Sequence, residues 1–403
     1  MLLKIAIGLV TSKVIAVFVG PGGMALLGNL RNFMSSLETI TTLGFQNGIV
    51  KYVAENTNDK PELKKVISTA LISITVVAIV LSGTLFLMAG FWNDTIFGAD
   101  FRYAYIVRVL AAAFPWYAAS IALIAVINGL SKFKDVIYIT IIGNLIGLLV
   151  SLFMIWQYHT SGALLSIIIT PSLVFFIALY FVNRQISLSQ YITLQSFSFD
   201  VIRKMGSYSL MAFVSAVLAP VVMLLIRNNI IATVGIEQAG YWEAINRIAT
   251  YYLMFISTIM TVYFLPKLVT ATTTSETRAI IIGYYKTLMP VYSIGLLLLF
   301  LLRDFILQLL FTKDFLPVRD LFVWQLMGDL LKGFAVLLGY NLIAKKHTVA
   351  FIVTEFISMG IMYFSSLYLV SIFGIEGVVM AHFITYAVYL VVLLVYFRKI
   401  FLK

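Results

Sequence analysis

The sequence predicts an all-α integral membrane protein of twelve transmembrane helices, arranged as two six-helix lobes related by a pseudo-two-fold axis along the membrane normal. Three observations predict it. Hydrophobic residues make up 62% of the 403-residue chain and charged residues only 11%, with a mean hydropathy of +1.02. No soluble domain of that length hides so much apolar surface, so the bilayer is the solvent. Apolar runs of about 20 residues, the length that crosses the hydrocarbon core, follow one another along the whole chain with short connections. Residues of the first half also return in the second at a nearly constant offset. Arg31 and Arg247 are 216 apart, and so are Lys51 and Lys267.

The composition excludes several classes. The chain has no cysteine, hence no disulfide and no thiolate metal site, and its three histidines are scattered, which argues against zinc. No cofactor is expected. The net charge of +11 is not the footprint of a nucleic-acid binder, because the basic residues gather at helix ends, where they face anionic headgroups.

Taken in order, residues 1–19 read as a first span. Lys4 lies near its start, but no small-x-small cleavage site follows, so it reads as a membrane helix rather than a leader. The run Val19-Gly-Pro-Gly-Gly23 lacks the Lys-Ser/Thr of a phosphate-binding loop and reads as a tight turn. Spans at 24–53, 66–91, 104–129, 136–157 and 161–183 complete a first lobe over 1–183. The amphipathic stretch 184–204 reads as the connector. The second lobe, 205–403, carries spans at 205–230, 239–265, 280–302, 316–344, 349–371 and 376–397. Polar residues interrupt the second, seventh, eighth and tenth spans, which purely lipid-facing helices would not need. Pro115, Pro171, Pro220, Pro266 and Pro290 lie in or beside spans and predict kinks.

More matches fit the duplication. Phe97-Gly-Ala-Asp100-Phe101 is answered by Phe311-Thr-Lys-Asp314-Phe315, Asn128 and Lys132 by Asn341 and Lys345, Gly162 by Gly377, and Ile169-Thr170 by Ile384-Thr385. Six helices per copy leave both copies facing the same way, which predicts a pathway between the lobes. Loops after even-numbered helices, with the C-terminus, hold seventeen Lys and Arg (Lys403 among them), against Arg102, Arg303, Lys313 and Arg319 after odd-numbered ones. That bias predicts both termini on the cytoplasmic side.

The candidate functional residues are charges set in apolar helices, each costing about 2.5–3.5 kcal/mol on insertion scales. Arg31 and Arg247 are the deepest, with Lys13 and Arg227 on the preceding helices. An arginine fork suits phosphate oxygens and a lysine serves as a point charge, so these four read as an anion site. The plainer alternative is snorkelling to the interface, expected for Lys4 and Lys51. Glu38 lies seven residues after Arg31. Glu243 precedes Arg247 by four, the spacing of an intrahelical ion pair, and Asp329 and Lys332 are three apart. Such carboxylates either lock helices together or couple transport to an ion gradient; Glu355 is a further candidate. His159 and His347 read as solvated loop residues, and His382, near Thr385 and Tyr386, as a satisfied structural histidine. Trp92, Trp116, Trp156 and Tyr158 fall near helix ends and read mostly as interfacial aromatics.

The stretch Arg319-Asp-Leu-Phe-Val-Trp-Gln-Leu-Met-Gly-Asp-Leu-Leu-Lys332, continuing to Gly339-Tyr-Asn-Leu-Ile-Ala-Lys345, resembles the Wzx-type lipid-linked oligosaccharide flippases. Val19-Gly-Pro-Gly-Gly23, Asn47-Gly-Ile-Val-Lys-Tyr-Val-Ala-Glu55 and Leu265-Pro-Lys267 are similar to the same group. The resemblance runs over nearly the whole chain. It implies the twelve-helix fold of the multidrug/oligosaccharidyl-lipid/polysaccharide exporter (MOP) superfamily, similar to its MATE branch, and alternating access. It also implies transport of an undecaprenyl-diphosphate-linked glycan to the outer leaflet of a bacterial inner membrane, as in O-antigen and enterobacterial common antigen synthesis. Arg31 and Arg247 would then hold the diphosphate, and Asp329 and Lys332 match the tenth-helix motif. Membrane lipids, a glycan polymerase and its chain-length regulator are the partners implied, and no nucleic acid. Two other readings compete. A drug or cation antiporter of the superfamily would want an acidic interior, which the deep cations oppose. A membrane glycan polymerase would want a long loop bearing catalytic groups, which the short outward connections do not offer. A channel would want a repeated filter sequence, and none is present.

Overall fold

The computed structural model describes residues 2–42, 44–99, 101–206 and 210–401, the side chains of residues 2–4, 206 and 210–212 excepted. Asp100 of the first repeat match, the side chain of Lys4, and Lys403 fall outside the described residues. Within them the chain is helical, with no strand. Contacts divide it into two compact units, one of Met1–Val19 and Leu26–Val221, the other of Gly20–Ala25 and Val222–Lys403.

In the N-terminal unit, α1 (Leu2–Phe18) packs on α7 (Phe133–Gln185), and α4 (Lys60–Leu87), α6 (Ala104–Gly129) and α7 form the main stack. The predicted second span, 24–53, is two helices. α2 (Gly20–Thr42) stops before Gly44, whose φ of +67° no α-helix can carry, and α3 (Gln46–Glu55) follows. α4 starts earlier than its apolar run because Asp59 accepts from the Glu62 amide at 3.1 Å and Pro61 occupies the first turn. The short α5 (Ala89–Ile96) lies between α4 and α6. The predicted fifth and sixth spans appear as one helical stretch, α7, folded back at His159 (φ +49°, ψ −123°). His159 is therefore the hairpin residue, exposed, with its ring stacked 6.3 Å from Phe18. The connector carries two short helices, α8 (Leu188–Tyr191) and α9 (Phe199–Gly206). It is fastened to α4: the Thr193 amide donates to Ser68 Oγ and the Ser198 amide to Thr69 Oγ1, both at 3.0 Å.

The second half of the chain repeats the plan with α10 (Leu210–Val234), of which Val222–Val234 lie in the C-terminal unit, α11 (Ile236–Ile259), α12 (Leu265–Thr270), α13 (Thr274–Leu301), α14 (Arg303–Leu310), α15 (Phe322–Ala344), α16 (Thr348–Phe373), α17 (Glu376–Tyr396) and α18 (Arg398–Phe401). Thr273 and Glu276 form a reciprocal capping box that opens α13. A π-helical turn at Met260–Phe264 joins α11 to α12, with Pro266 just beyond. The predicted tenth span begins as a 3-10 segment, Lys313–Leu321, because Pro317 lies inside it. α15 is the hub, packed on α13, α16 and α17.

Among the described residues nine helices are long and apolar enough to cross a membrane. Counting α7 twice across its hairpin, and adding α1 and the more polar α2, gives twelve. The exterior is apolar, with Leu87, Val262 and Val349 all more than 70% exposed, while Asn29, Glu243 and Asp329 are buried. This inversion is expected where lipid is the solvent. The chain is a multi-pass membrane protein.

The duplication is written in the backbone. Gly20 and Gly235, Ser131 and Lys346, and His159 and Gly374 all have positive φ, and each pair is 215 residues apart. Such conformations are rare enough that three matched pairs mark a common plan. The break at Gly44 answers the π turn beginning at Met260, 216 residues on. Gly162 and Gly377 face the backbone of Met154 and Leu369, each eight residues back, where no side chain would fit.

Candidate functional site

The C-terminal unit gathers two buried polar clusters. In the first, Arg227 of α10 donates through Nη2 to Glu243 Oε2 of α11 at 2.7 Å, and its guanidinium lies 5.0 Å from the ring of Trp242. Arg247, one turn beyond Glu243, has Nε 3.8 Å from Oε1. The predicted intrahelical pair is therefore present but loose, and the shorter bond goes to Arg227, sixteen residues away. All three side chains are at most 13% exposed. Two guanidinium groups thus converge on one carboxylate among buried side chains, where charges are normally paired.

The second cluster centres on Asp329 of α15, which is fully buried. Its Oδ2 accepts from Gln325 Nε2 at 2.9 Å and from the Tyr252 hydroxyl of α11, and its Oδ1 lies 3.1 Å from His382 Nε2 of α17. Tyr292 of α13 donates to the Asp329 carbonyl at 3.2 Å. The carboxylate thus ties three helices, and the main-chain carbonyl of the same residue holds a fourth. The expected Asp329–Lys332 pair does not form: His382, Gln325 and Tyr252 take the carboxylate, and Lys332 Nζ lies 5.1 Å from the ring centre of Tyr386. Tyr386 also meets His382 edge-on at 4.8 Å, so it links lysine and histidine. Gly328 lets His382 approach, since a methyl group there would press on the imidazole. His382 is satisfied, as the sequence suggests, and its partner is an acid.

In the N-terminal unit Glu38 of α2 accepts from the Tyr117 hydroxyl of α6 and from Gln46 Nε2 at 3.3 Å. It borders a cavity of about 230 Å³ shared with Asn47, Val50 and Asn128. Lys13 of α1 and Arg31 of α2 are half-buried. The two units thus use the same device with its chemistry exchanged. In one, the second helix supplies the acid, Glu38, and the fourth span the tyrosine, Tyr117. In the other, the corresponding helices supply Tyr252 and Asp329, offset by 214 and 212.

Sequence reasoning missed Tyr117, Tyr252, Tyr292, Trp242 and Gln325. One signal was available: Gln325 stands four residues before Asp329, a spacing that places both on one face. No group of three or more potential metal ligands occurs among the described residues.

Residues 1–269 match the family described as polysaccharide biosynthesis protein. Over 389 residues, 96% of its length, the chain is 29% identical to proteins named lipid III flippase from Escherichia coli (strain K12) and Shigella flexneri, covering 93% of each. Among solved structures it is similar to an inward-facing MATE family multidrug resistance transporter of the MOP superfamily (TM-score 0.82, 14% identity, 98% of this chain and 93% of that one). It is also similar to the lipid II flippase MurJ in an inward closed conformation (TM-score 0.74, 16% identity, 100% and 87%). At these identities the structural likenesses establish the fold.

Proposed function

Because the chain belongs to the polysaccharide biosynthesis protein family, we propose that it is a flippase. It carries an undecaprenyl-diphosphate-linked oligosaccharide from the cytoplasmic to the periplasmic leaflet of a bacterial inner membrane by alternating access. The substrate class follows the relatives named lipid III flippase, aligned with 96% of the chain. No substrate bond is made or broken, so the protein is a transporter and not an enzyme.

One observation carries the site assignment: Arg227 and Arg247 are brought together on Glu243 inside membrane-spanning helices. A cation there is costly unless it is used. A diphosphate brings the charge and the acceptor oxygens that guanidinium forks match. We assign the same task in the N-terminal unit to Arg31 and Lys13, on the strength of the repeat, and an auxiliary contact to Lys332. Glu38, Glu243 and Asp329 are assigned to coupling or gating. A protonated Asp329 would donate where it now accepts, so its bond to His382 would reverse direction or one of its bonds to Tyr252 or Gln325 would break, changing how it ties these helices. Both termini are assigned to the cytoplasmic side from the charge bias, and a glycan polymerase with its chain-length regulator is assigned as the downstream partner.

Complementation tests the reading. In a strain lacking its lipid-linked oligosaccharide flippase, the wild-type chain should restore surface glycan. The Arg31→Ala/Arg247→Ala double variant should let lipid-linked intermediates accumulate. A stably inserted double variant with normal glycan would overturn the site assignment. A wild-type chain that failed to complement but exported ethidium would favour the drug antiporter.

A further inference from the structure

Two concavities of the N-terminal unit lie along one stripe of α4. The first, about 410 Å³, is bordered by Lys60, Lys64 and Lys65 and by Gln195 and Ser196 of the connector. The second, about 440 Å³, begins at Leu71 and Ile72, continues to Thr75 and Val76, and is walled by Trp116 of α6 and Phe175 of α7. Leu188 and Ile192 of the connector close its near end. At about 100° per residue, Lys60, Lys64, Leu71 and Thr75 fall within roughly 60° of one another on the helix. Lys65, Ile72 and Val76 fall on the adjoining strip. Seven residues separate Lys64 from Leu71, about 10 Å of helix. A cationic hollow and an apolar groove therefore lie along one face, with the connector between them.

The two ends differ in chemistry. Asp59 and Glu62 lie off the stripe; Asp59 caps α4 and Glu62 holds Lys65. Lys60 and Lys64 make no ion pair among the described residues. The start of the 28-residue α4 adds its positive dipole end. The groove is apolar apart from Thr75, and Val76 and Trp116 are about half exposed. The connector crosses between the two, fixed by the Thr193–Ser68 and Ser198–Thr69 bonds. Its Gln195 and Ser196 add an amide and a hydroxyl beside the lysines.

We propose that this face is a binding site for an anionic phospholipid, with the phosphate on Lys60, Lys64 and Lys65 and an acyl chain in the groove beneath the connector. Basic pockets beside membrane helices select anionic headgroups, and a choline head would bring a cation toward three lysines. The site stands apart from the charged clusters above and does not rest on the transport reading.

Native mass spectrometry of the purified full chain tests it, with phosphatidylglycerol and phosphatidylcholine of matched chains offered together. The wild type should retain phosphatidylglycerol over phosphatidylcholine by about tenfold or more. Lys60→Glu/Lys64→Glu/Lys65→Glu should bring the two within about twofold, and Ala119→Phe, which fills the groove, should reduce retention of both. Equal retention by the wild type would overturn the proposal, even if a variant failed to fold. So would a preference unchanged in the triple-lysine variant, or displacement of phosphatidylglycerol by equimolar undecaprenyl phosphate.

Discussion

Glu243 serves two arginines, and its replacement should be costly. Glu243→Ala would break the buried pair with Arg227, only 3% exposed, at about 3–5 kcal/mol. Arg247→Ala removes the looser 3.8 Å contact to Glu243 and should cost less in stability while lowering flipping. Thermal unfolding in detergent, read beside transport, separates the two effects. His159 makes a second case. It occupies a positive-φ conformation that its repeat mate fills with Gly374, and such strain costs about 1–3 kcal/mol. His159→Gly should therefore raise the midpoint of unfolding, and an unchanged or lower midpoint would contradict the strain. Spacing made the Glu243–Arg247 contact legible, because residues four apart share a helix face. It could not show that Glu243 prefers Arg227, or that Asp329 prefers His382 fifty-three residues on to Lys332 three residues on. Those choices depend on how separate helices pack.

Helices are legible in this chain because apolar length is set by the bilayer; their interruptions are not. The break at Gly44, the π turn at Met260–Phe264 and the joining of two spans through His159 depend on backbone angles that hydropathy does not report. The α7 hairpin shows how closely its arms approach. Gly143 and Gly147, four apart, face Val174 and Thr170 of the returning arm, the small-residue pattern that lets membrane helices touch. A methyl group at Gly147 would come within 2.5 Å of Thr170 Cγ2, whereas one at Gly83 of α4 meets nothing within 4 Å. Gly147→Ala should then destabilise by about 1–3 kcal/mol. Gly83→Ala should be neutral or stabilising by up to about 1 kcal/mol. Shifts of the same sign and size would refute this packing.

The duplicated six-helix plan was legible at the scale of the molecule because charge and glycine matches kept one offset, and the three positive-φ pairs at 215 show why: the turns themselves are conserved between the copies. Topology can be tested directly in a chain without cysteine. A cysteine at Lys313 should react with an impermeant maleimide from outside the cell, and one at Thr57 should not; the reverse would invert the assigned orientation. The substrate class was not legible in charge alone, since a cationic interior fits any anion; family membership narrows it. The most direct measurement is transbilayer movement of an undecaprenyl-diphosphate-linked oligosaccharide in proteoliposomes holding the purified chain. The account predicts protein-dependent movement that Arg31→Ala/Arg247→Ala abolishes while the variant remains folded. Movement no faster than in protein-free vesicles, or equal movement by the double variant, would contradict it.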